Sequence, residues 1–433
     1  MSFFKNLMKK KAPRTMVIGL DGVPFTLIKK LSENGVMPNI AKLAASGEKY
    51  FRQMDVSIPE ISSVSWASFM TGTNPARHGI FGFTDLKPQS YNIHFPSYPD
   101  LKAETIWDTL GKENKRTTVL NLPGTYPARE HNGILVSGFV AIDLKRAVHP
   151  ASLYERLNAM DYRIDVDTQK AGDKEYFYKD LFDTLAAREK AFTELWKEEC
   201  DLFVAVITDT DRLQHFEWDA IEDEAHPRHG RAMEFYSKVD SLVGKLLEMH
   251  GSDEFLIMSD HGFCAIEEEV YLNRILKDNG FLEWEKDPPE GIGMLAGETR
   301  AFALDPSRIY VHSAGRYPKG RIDEAASDKV RDELKEFFSG LERNGKKVIR
   351  QIFLKEEIYD GPHISKAPDM VLLSERGFDL KGNIRSAVAY AKTHFSGMHT
   401  RDDAFLISGK GTLSKRPHIE DVSEMILEAV RGA

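Results

Sequence analysis

The sequence predicts an α/β fold, a sandwich with a mostly parallel central sheet and helices on both faces. Three observations carry that expectation. Short β-branched or apolar runs end in Gly, Asp or Pro, as strands buried on both faces and delivering loops do. Segments with helical periodicity lie between many of them, and alternation of the two kinds of element marks a helix-covered parallel sheet. The runs are TMVIGLDG (15–22), TTVLNLPG (117–124), GILVSGF (133–139), DLFVAVITDTD (201–211), EFLIMSDHG (254–262) and PDMVLLS (368–374). Over 232–247, Ala232, Phe235, Tyr236, Val239, Leu242, Val243 and Leu246 recur at three- and four-residue spacing, which predicts an amphipathic helix packed on the sheet. Segments 181–199 and 419–431 carry similar periodicity.

With 433 residues the chain has ample material for a core, and 42% hydrophobic with 29% charged residues describes a soluble globular protein. The net charge of −9 is spread without long single-sign blocks, so no nucleic-acid surface is expected. Two cysteines, Cys200 and Cys264, are too few for a disulfide framework, and a cytoplasmic setting is expected. No apolar run reaches the roughly 18 to 20 residues of a membrane span. Residues 1–14 read as a disordered basic leader, whose Phe3, Phe4, Leu7 and Met8 beside lysines allow weak contact with an anionic membrane surface. Residues 265–350 are richer in Gly, Pro and charge than their flanks and are expected to be an insertion or cap over the active site. The core is then expected from 15–264 and 351–433. The sequence does not indicate an oligomeric state.

Asp and His accumulate where the expected strands end: Asp21 after MVIGL, Asp209 and Asp211 after FVAVIT, Asp260-His261 after FLIMS. Ligands of open α/β sheets sit beyond that edge, and chain-distant carboxylates and imidazoles meeting there can share a metal. Each has a structural alternative. Asp21 before Gly22 suits a tight turn, and Asp211 and His215 share a helical face whether or not they bind anything. Asp260 and His261 are adjacent, so both can reach one ion only if the chain turns sharply, which Gly262 permits. The stretch from Pro59 to Gly72 begins as a Ser-rich loop and continues as a helix carrying Trp66, Phe69 and Met70. A hydroxyl at that helix start lies where N–H groups and the dipole favour a phosphate, or else Ser62 or Ser63 simply caps the helix.

Taken in order, Asp21-Gly22, the Ser62–Gly72 segment, Pro75-Ala76-Arg77-His78-Gly79-Ile80, Asp211-x-x-x-His215, Ser259-Asp260-His261-Gly262 and Gly397-Met398-His399 resemble the alkaline phosphatase superfamily. The branch they resemble is that of type I phosphodiesterases and nucleotide pyrophosphatases. The resemblance spans roughly 15–265 and 360–410, and Met37-Pro38-Asn39-Ile40 fits the family's first helix. It implies an alkaline-phosphatase-like sandwich and two divalent metal ions: zinc, with manganese or iron as alternatives that the ligand types do not separate. One ion would take Asp211, His215 and His399; the other Asp21, Asp260, His261 and the nucleophile oxygen. The family's nucleophile stands ten residues before the Gly of a Thr-Gly pair, which here is Ser62, with Ser63 next to it. Metal coordination would activate that hydroxyl.

The resemblance thus implies a hydrolase of small-molecule phosphate esters, diesters or monoesters, with Ser63 and Ser65 as candidate substrate contacts; Asn121, at the end of TTVLN, is a further candidate by position. The Thr-Phe-Pro-Asn-His-like run of the nucleotide pyrophosphatases is absent, and Ser65 is read at the place of their phosphate-contacting Asn, so nucleotide specificity is not implied. Val64 and Trp66 replace the Pro and Arg that sulfate-ester hydrolases need. Two alternatives remain open: a phosphomutase of the same superfamily, and a non-catalytic metal-stabilised binding protein. A haloacid-dehalogenase-type phosphatase is excluded, because its nucleophilic carboxylate would stand at Gly19. His226 and His229 flank Pro227 and read as loop residues, His394 as a surface or packing residue, and Cys264 as a small buried hydrophobe.

Overall fold

The computed structural model describes residues 14–432 except 46, 48, 49 and 253; the expected basic leader, apart from Arg14, lies outside the described residues. An eight-stranded sheet forms the centre, in the order Phe51–Met54, Ala404–Ser408, Phe255–Met258, Thr15–Leu20, Leu202–Ile207, Thr117–Leu122, Gly133–Ser137, Val148–His149. The five strands from Phe255–Met258 to Gly133–Ser137 are mutually parallel, and antiparallel strands close both edges. Thr15–Leu20, Thr117–Leu122 and Leu202–Ile207 are buried at every position. That is why they read as continuous apolar runs rather than alternating ones.

Helices cover both faces. Lys174–Leu195 and His229–His250 pack on one side, where Phe177, Leu181, Phe192, Phe235, Val239 and Leu246 join the core with Ile18, Phe203 and Ile257. Ser62–Thr71, Ile106–Lys112 and Asp421–Gly432 cover the other, placing Trp66, Phe69, Trp107 and Ile426 against Val17, Val204 and Leu406. Successive residues of a strand face opposite sides, so Val17 and Ile18 serve different cores.

A second lobe carries its own core around Leu276, Phe302, Tyr310, Phe338 and Leu372. Its four-stranded sheet runs Ala301–Leu304, Arg308–Val311, Met370–Ser374, Ile349–Leu354, all antiparallel, and a three-stranded sheet joins Phe378–Lys381, Glu268–Tyr271 and Tyr390–Ala391. This corrects the sequence reading in one respect. Met370–Ser374, expected as a strand of the parallel sheet, pairs with Arg308–Val311 and Ile349–Leu354, so residues 349–381 build the second lobe instead of the core. A short apolar run signals burial on both faces and carries no information about which sheet buries it. Among the described residues no helix is long and apolar enough to cross a membrane.

Candidate active site

Three neighbouring parallel strands, Phe255–Met258, Thr15–Leu20 and Leu202–Ile207, release their chains at the same edge, and each delivers acidic residues there. Asp21 follows the middle strand directly. Gly22 adopts φ +72°, and a Cβ there would meet His261, Phe263 and Gln214 at about 3 Å, so only glycine lets the chain leave this tightly. Its N–H donates to Asp260 Oδ1 at 3.0 Å, tying the ends of two strands together. Asp211 lies in the first turn of the helix Asp209–Glu222, with His215 one turn later. His399 arrives from the opposite direction, on Gly397–Thr400, which pairs antiparallel with Gly262–Ala265 so that His399 faces Phe263.

The ligand atoms fall into two groups, Asp21 with Asp260 and His261, and Asp211 with His215 and His399, each gathered within 4.8 Å. Asp211 Oδ1 joins them: it lies 3.4 Å from His215 Nε2, 3.3 Å from His399 Nε2 and 3.8 Å from His261 Nε2. Each imidazole turns Nδ1 toward a carbonyl that can only accept: His215 toward Gly397 O at 3.2 Å, His261 toward Gly262 O at 3.1 Å, His399 toward Glu60 O at 3.0 Å. The Nδ1 atoms therefore carry the protons and the Nε2 lone pairs point inward. Two such lone pairs, on His215 and His399, stand 3.0 Å apart, an arrangement that repels unless a cation lies against both.

The charges tell the same story. Asp21 is pushed well above the usual carboxylate range, first by burial and then by Asp260 and Asp211; Asp260 is pushed up to about 7, mainly by burial. Burial drives His215 and His261 down to about 4, and lowers His399 as well, so all three rings are neutral at neutral pH. Burial would raise Asp211 too, yet the charges of His215 and His399, once acid protonates them, and of Arg212 outweigh it and hold it below the usual carboxylate range. Asp211 Oδ1 and Asp260 Oδ2 are buried without a hydrogen-bond partner. Orphaned buried carboxylate oxygens beside inward-facing imidazole lone pairs are the donor set that divalent cations take, so the residues fit two such ions.

Ser62 opens the helix Ser62–Thr71, but it does not cap it. Ile61 holds the cap position without a side-chain hydrogen bond, and Ser62 Oγ lies 3.3 Å from Asp21 Oδ1 and 3.1 Å from His261 Nε2. Of the two serines, only Ser62 reaches the ligand groups; Ser63 lines the adjoining cavity, and its buried Oγ has no hydrogen-bond partner. Ser65, expected near the phosphate, is fully buried about 4.5 Å further along the helix axis and does not line the cavity. Asn121 is likewise corrected. Its amide is spent on Val206 O and Thr208 Oγ1, and Tyr162 donates to its carbonyl, making it a buried brace between strands. Asp209 also turns away, pairing with the buried Arg188. His226 and His229 hydrogen-bond locally and belong to neither ligand group, and exposed His394 stacks on Phe216. Burial pushes the Cys264 thiol up to about 11.

Two contributors escaped sequence reasoning. Trp66 Nε1 donates to Asp21 Oδ2 at 3.1 Å, and the indole reaches it because Gly19 has no Cβ: one built there would lie 2.6 Å from Trp66 Cη2. Arg212 donates to Asp211 Oδ2 at 2.9 Å while Asp165 grips it in a bidentate pair at 2.7–3.2 Å and the Phe139 ring lies under it at 4.4 Å. Neither has a spacing signal; a basic residue beside a ligand Asp was the one available hint.

Above the ligand groups opens a cavity of about 650 Å³, lined by Ser62, Ser63, Asp211, His215 and His399 and, across from the core, by second-lobe residues including Glu269, Ser307, Asp379 and Lys381.

The chain matches the family model described as type I phosphodiesterase / nucleotide pyrophosphatase over residues 15–402. No curated protein sequence matches it. Among solved structures it resembles phosphonoacetate hydrolase from Sinorhizobium meliloti 1021 in complex with phosphonoacetate, with TM-score 0.64 and 16% identity, over 97% of this chain and 95% of that one. It also resembles murine ectonucleotide pyrophosphatase/phosphodiesterase 5 in complex with AMP (TM-score 0.56, 14% identity, 97% and 95% covered). A mutant of the alkaline phosphatase PafA is similar as well (TM-score 0.55, 14% identity, 96% of each chain).

Proposed function

Because the chain belongs to the type I phosphodiesterase and nucleotide pyrophosphatase family of the alkaline phosphatase superfamily, and so is a phosphoric ester hydrolase, we propose that it cleaves small-molecule phosphodiesters with Ser62 as nucleophile. Two divalent cations, zinc foremost, would be held by Asp21, Asp260 and His261 and by Asp211, His215 and His399. The observation that carries this reading is the position of Ser62 Oγ, between Asp21 Oδ1 and His261 Nε2 at the mouth of the cavity.

When bound, the cations supply Lewis-acid stabilisation of negative charge on the phosphoryl oxygens. The rest is done by the chain. The helix Ser62–Thr71 fixes Oγ and presents the positive end of its dipole to the phosphate. Gly397 O, Gly262 O and Glu60 O hold the three imidazoles in the tautomer that leaves Nε2 free. Arg212, locked by Asp165, keeps Asp211 ionised and in place. Ser62 Oγ attacks phosphorus, one ester arm departs as its alcohol, and water then displaces the serine from the phosphoserine. A cavity of about 650 Å³ has room for both arms of a diester, which favours diesters over monoesters. A cytoplasmic setting is part of the same proposal and is supported by a sequence with two cysteines, too few for a disulfide framework.

Metal-loaded enzyme and its Ser62→Ala variant are compared on bis(p-nitrophenyl) phosphate and p-nitrophenyl phosphate, with the metal content of each measured. The expected result is turnover of the diester that falls at least about a thousandfold in the variant. Turnover surviving in metal-loaded Ser62→Ala refutes the nucleophile.

A further inference from the structure

The second-lobe wall of the cavity has a composition that the phosphate chemistry leaves unexplained. Ser307 lies at the turn between Ala301–Leu304 and Arg308–Val311 and adopts φ +55°, a left-handed conformation for which glycine is the default. It is only 3% exposed, lines the cavity, and its Oγ has no hydrogen-bond partner. The turn is not loose. Its backbone carbonyl accepts from Leu372 N at 3.0 Å. The buried Arg308 guanidinium clamps Asp305 O and, at 2.7 Å, Thr84 O across to the core. A serine in a left-handed conformation, with a buried, unpartnered hydroxyl in a clamped turn that borders the cavity, has no role in the fold that accounts for the hydroxyl.

Its neighbours along the wall decide which ligand. Glu269, 3% exposed, accepts from Tyr271 Oη at 2.6 Å and from Thr393 Oγ1; Asp379 pairs with Lys381 Nζ. With Asp305 the wall holds three carboxylates against one ammonium, which disfavours an anionic arm such as a second phosphate or a carboxylate. Quaternary ammonium groups prefer open aromatic faces. Here Phe139 lies under Arg212 at 4.4 Å and stacks on Phe83, Phe395 is flanked by Lys381 and His215, and Tyr271 is buried with its hydroxyl donated to Glu269. What remains is a set of donors and acceptors side by side, Ser307 and Lys381 with Glu269 and Asp379, which hydroxyl groups satisfy because each both donates and accepts.

We propose that this wall receives a neutral polyhydroxylated ester arm, a sugar, a cyclitol or a glycerol-like alcohol, with Ser307 as a specificity-determining contact. The assignment rests on the phosphodiesterase reading above. Three p-nitrophenyl phosphodiesters that differ only in the second arm, glyceryl, ethyl or 2-carboxyethyl, test it in metal-loaded enzyme through one chromophore. The glyceryl ester is expected to exceed the ethyl ester about tenfold in kcat/KM, the worth of roughly one well-made hydrogen bond, and the carboxyethyl ester to fall below both. Ser307→Gly removes the hydroxyl and relaxes the left-handed backbone, so the glyceryl-to-ethyl ratio is expected to fall toward one while Tm holds or rises. An equal rate for glyceryl and ethyl, a preference for carboxyethyl, or an unchanged ratio in Ser307→Gly overturns the assignment. Absence of p-nitrophenol from all three esters overturns the phosphodiesterase reading itself.

Discussion

Trp66→Phe is expected to weaken metal binding more than it weakens the fold. The indole N–H donates to Asp21 Oδ2 at 3.1 Å in a fully buried setting. Asp21 already has its pKa raised by burial and by the charges of Asp260 and Asp211, and the Trp66 N–H opposes that rise, behind His261. Removing the donor leaves the carboxylate less stabilised and its proton harder to displace. A hydrogen bond to a buried charge is worth about 1.5–3 kcal/mol, and outer partners of metal ligands typically contribute about ten- to a hundredfold in affinity. Zinc affinity at pH 7.5, measured by competition with a chelator of known strength, should therefore drop by one to two powers of ten. Phe69→Leu is the control, since Phe69 packs edge-on against Trp66 with ring centres 5.4 Å apart and loses aromatic volume from the same helix without a hydrogen bond to Asp21. Zinc affinity within twofold of the parent in Trp66→Phe, or an equal drop in both variants, would refute the reasoning.

Metal uptake should release protons and tighten with pH. In the metal-free protein Asp260 keeps its proton up to about 7, so below that pH the apparent affinity is expected to fall about tenfold per unit for each proton displaced, and an affinity flat between pH 6 and 8 contradicts it. The same carboxyl makes the metal-free fold less stable as pH rises from the unfolded value of 3.8 through about 7, because the unfolded chain gives up that proton first; metal reverses the loss. His78 acts in the opposite sense. Burial holds it near 3 against 6.5 unfolded, so its contribution is intact above 6.5 and lost as pH falls toward 3, about 2 kcal/mol by pH 5. Urea titrations at pH 8 and 5 should show a smaller drop in His78→Gln than in the parent, and equal drops would remove His78 as the cause.

The centre of the fold and the meeting of acids and imidazoles at its edge were legible because both depend on local signals. The runs ending at Leu20, Ile207 and Met258 are adjacent parallel strands, and the acids just past them meet because parallel strands share an exit edge. Met370–Ser374 was misplaced because its apolar pattern is the same in either sheet. Ser65 looked like a site residue through position in a motif and Asn121 through its place at the end of an apolar run, and packing directs both into the interior. Trp66, Arg212 and Ser307 could not be found from spacing: each acts through one hydrogen-bonding group whose partner, or lack of one, is set by distant chain segments.

Gly19 couples the first strand to a helix that begins more than forty residues later. A side chain at this position collides with the Trp66 ring, so the carboxylate nucleophile of an acyl-phosphate enzyme, two residues ahead of Asp21, and the indole that steadies Asp21 exclude each other. A side chain at position 19 therefore requires a smaller one at position 66, and Asp21 then loses its indole donor. The end of the first strand and the start of the helix Ser62–Thr71 are thus one unit, and a change in either has to be matched in the other.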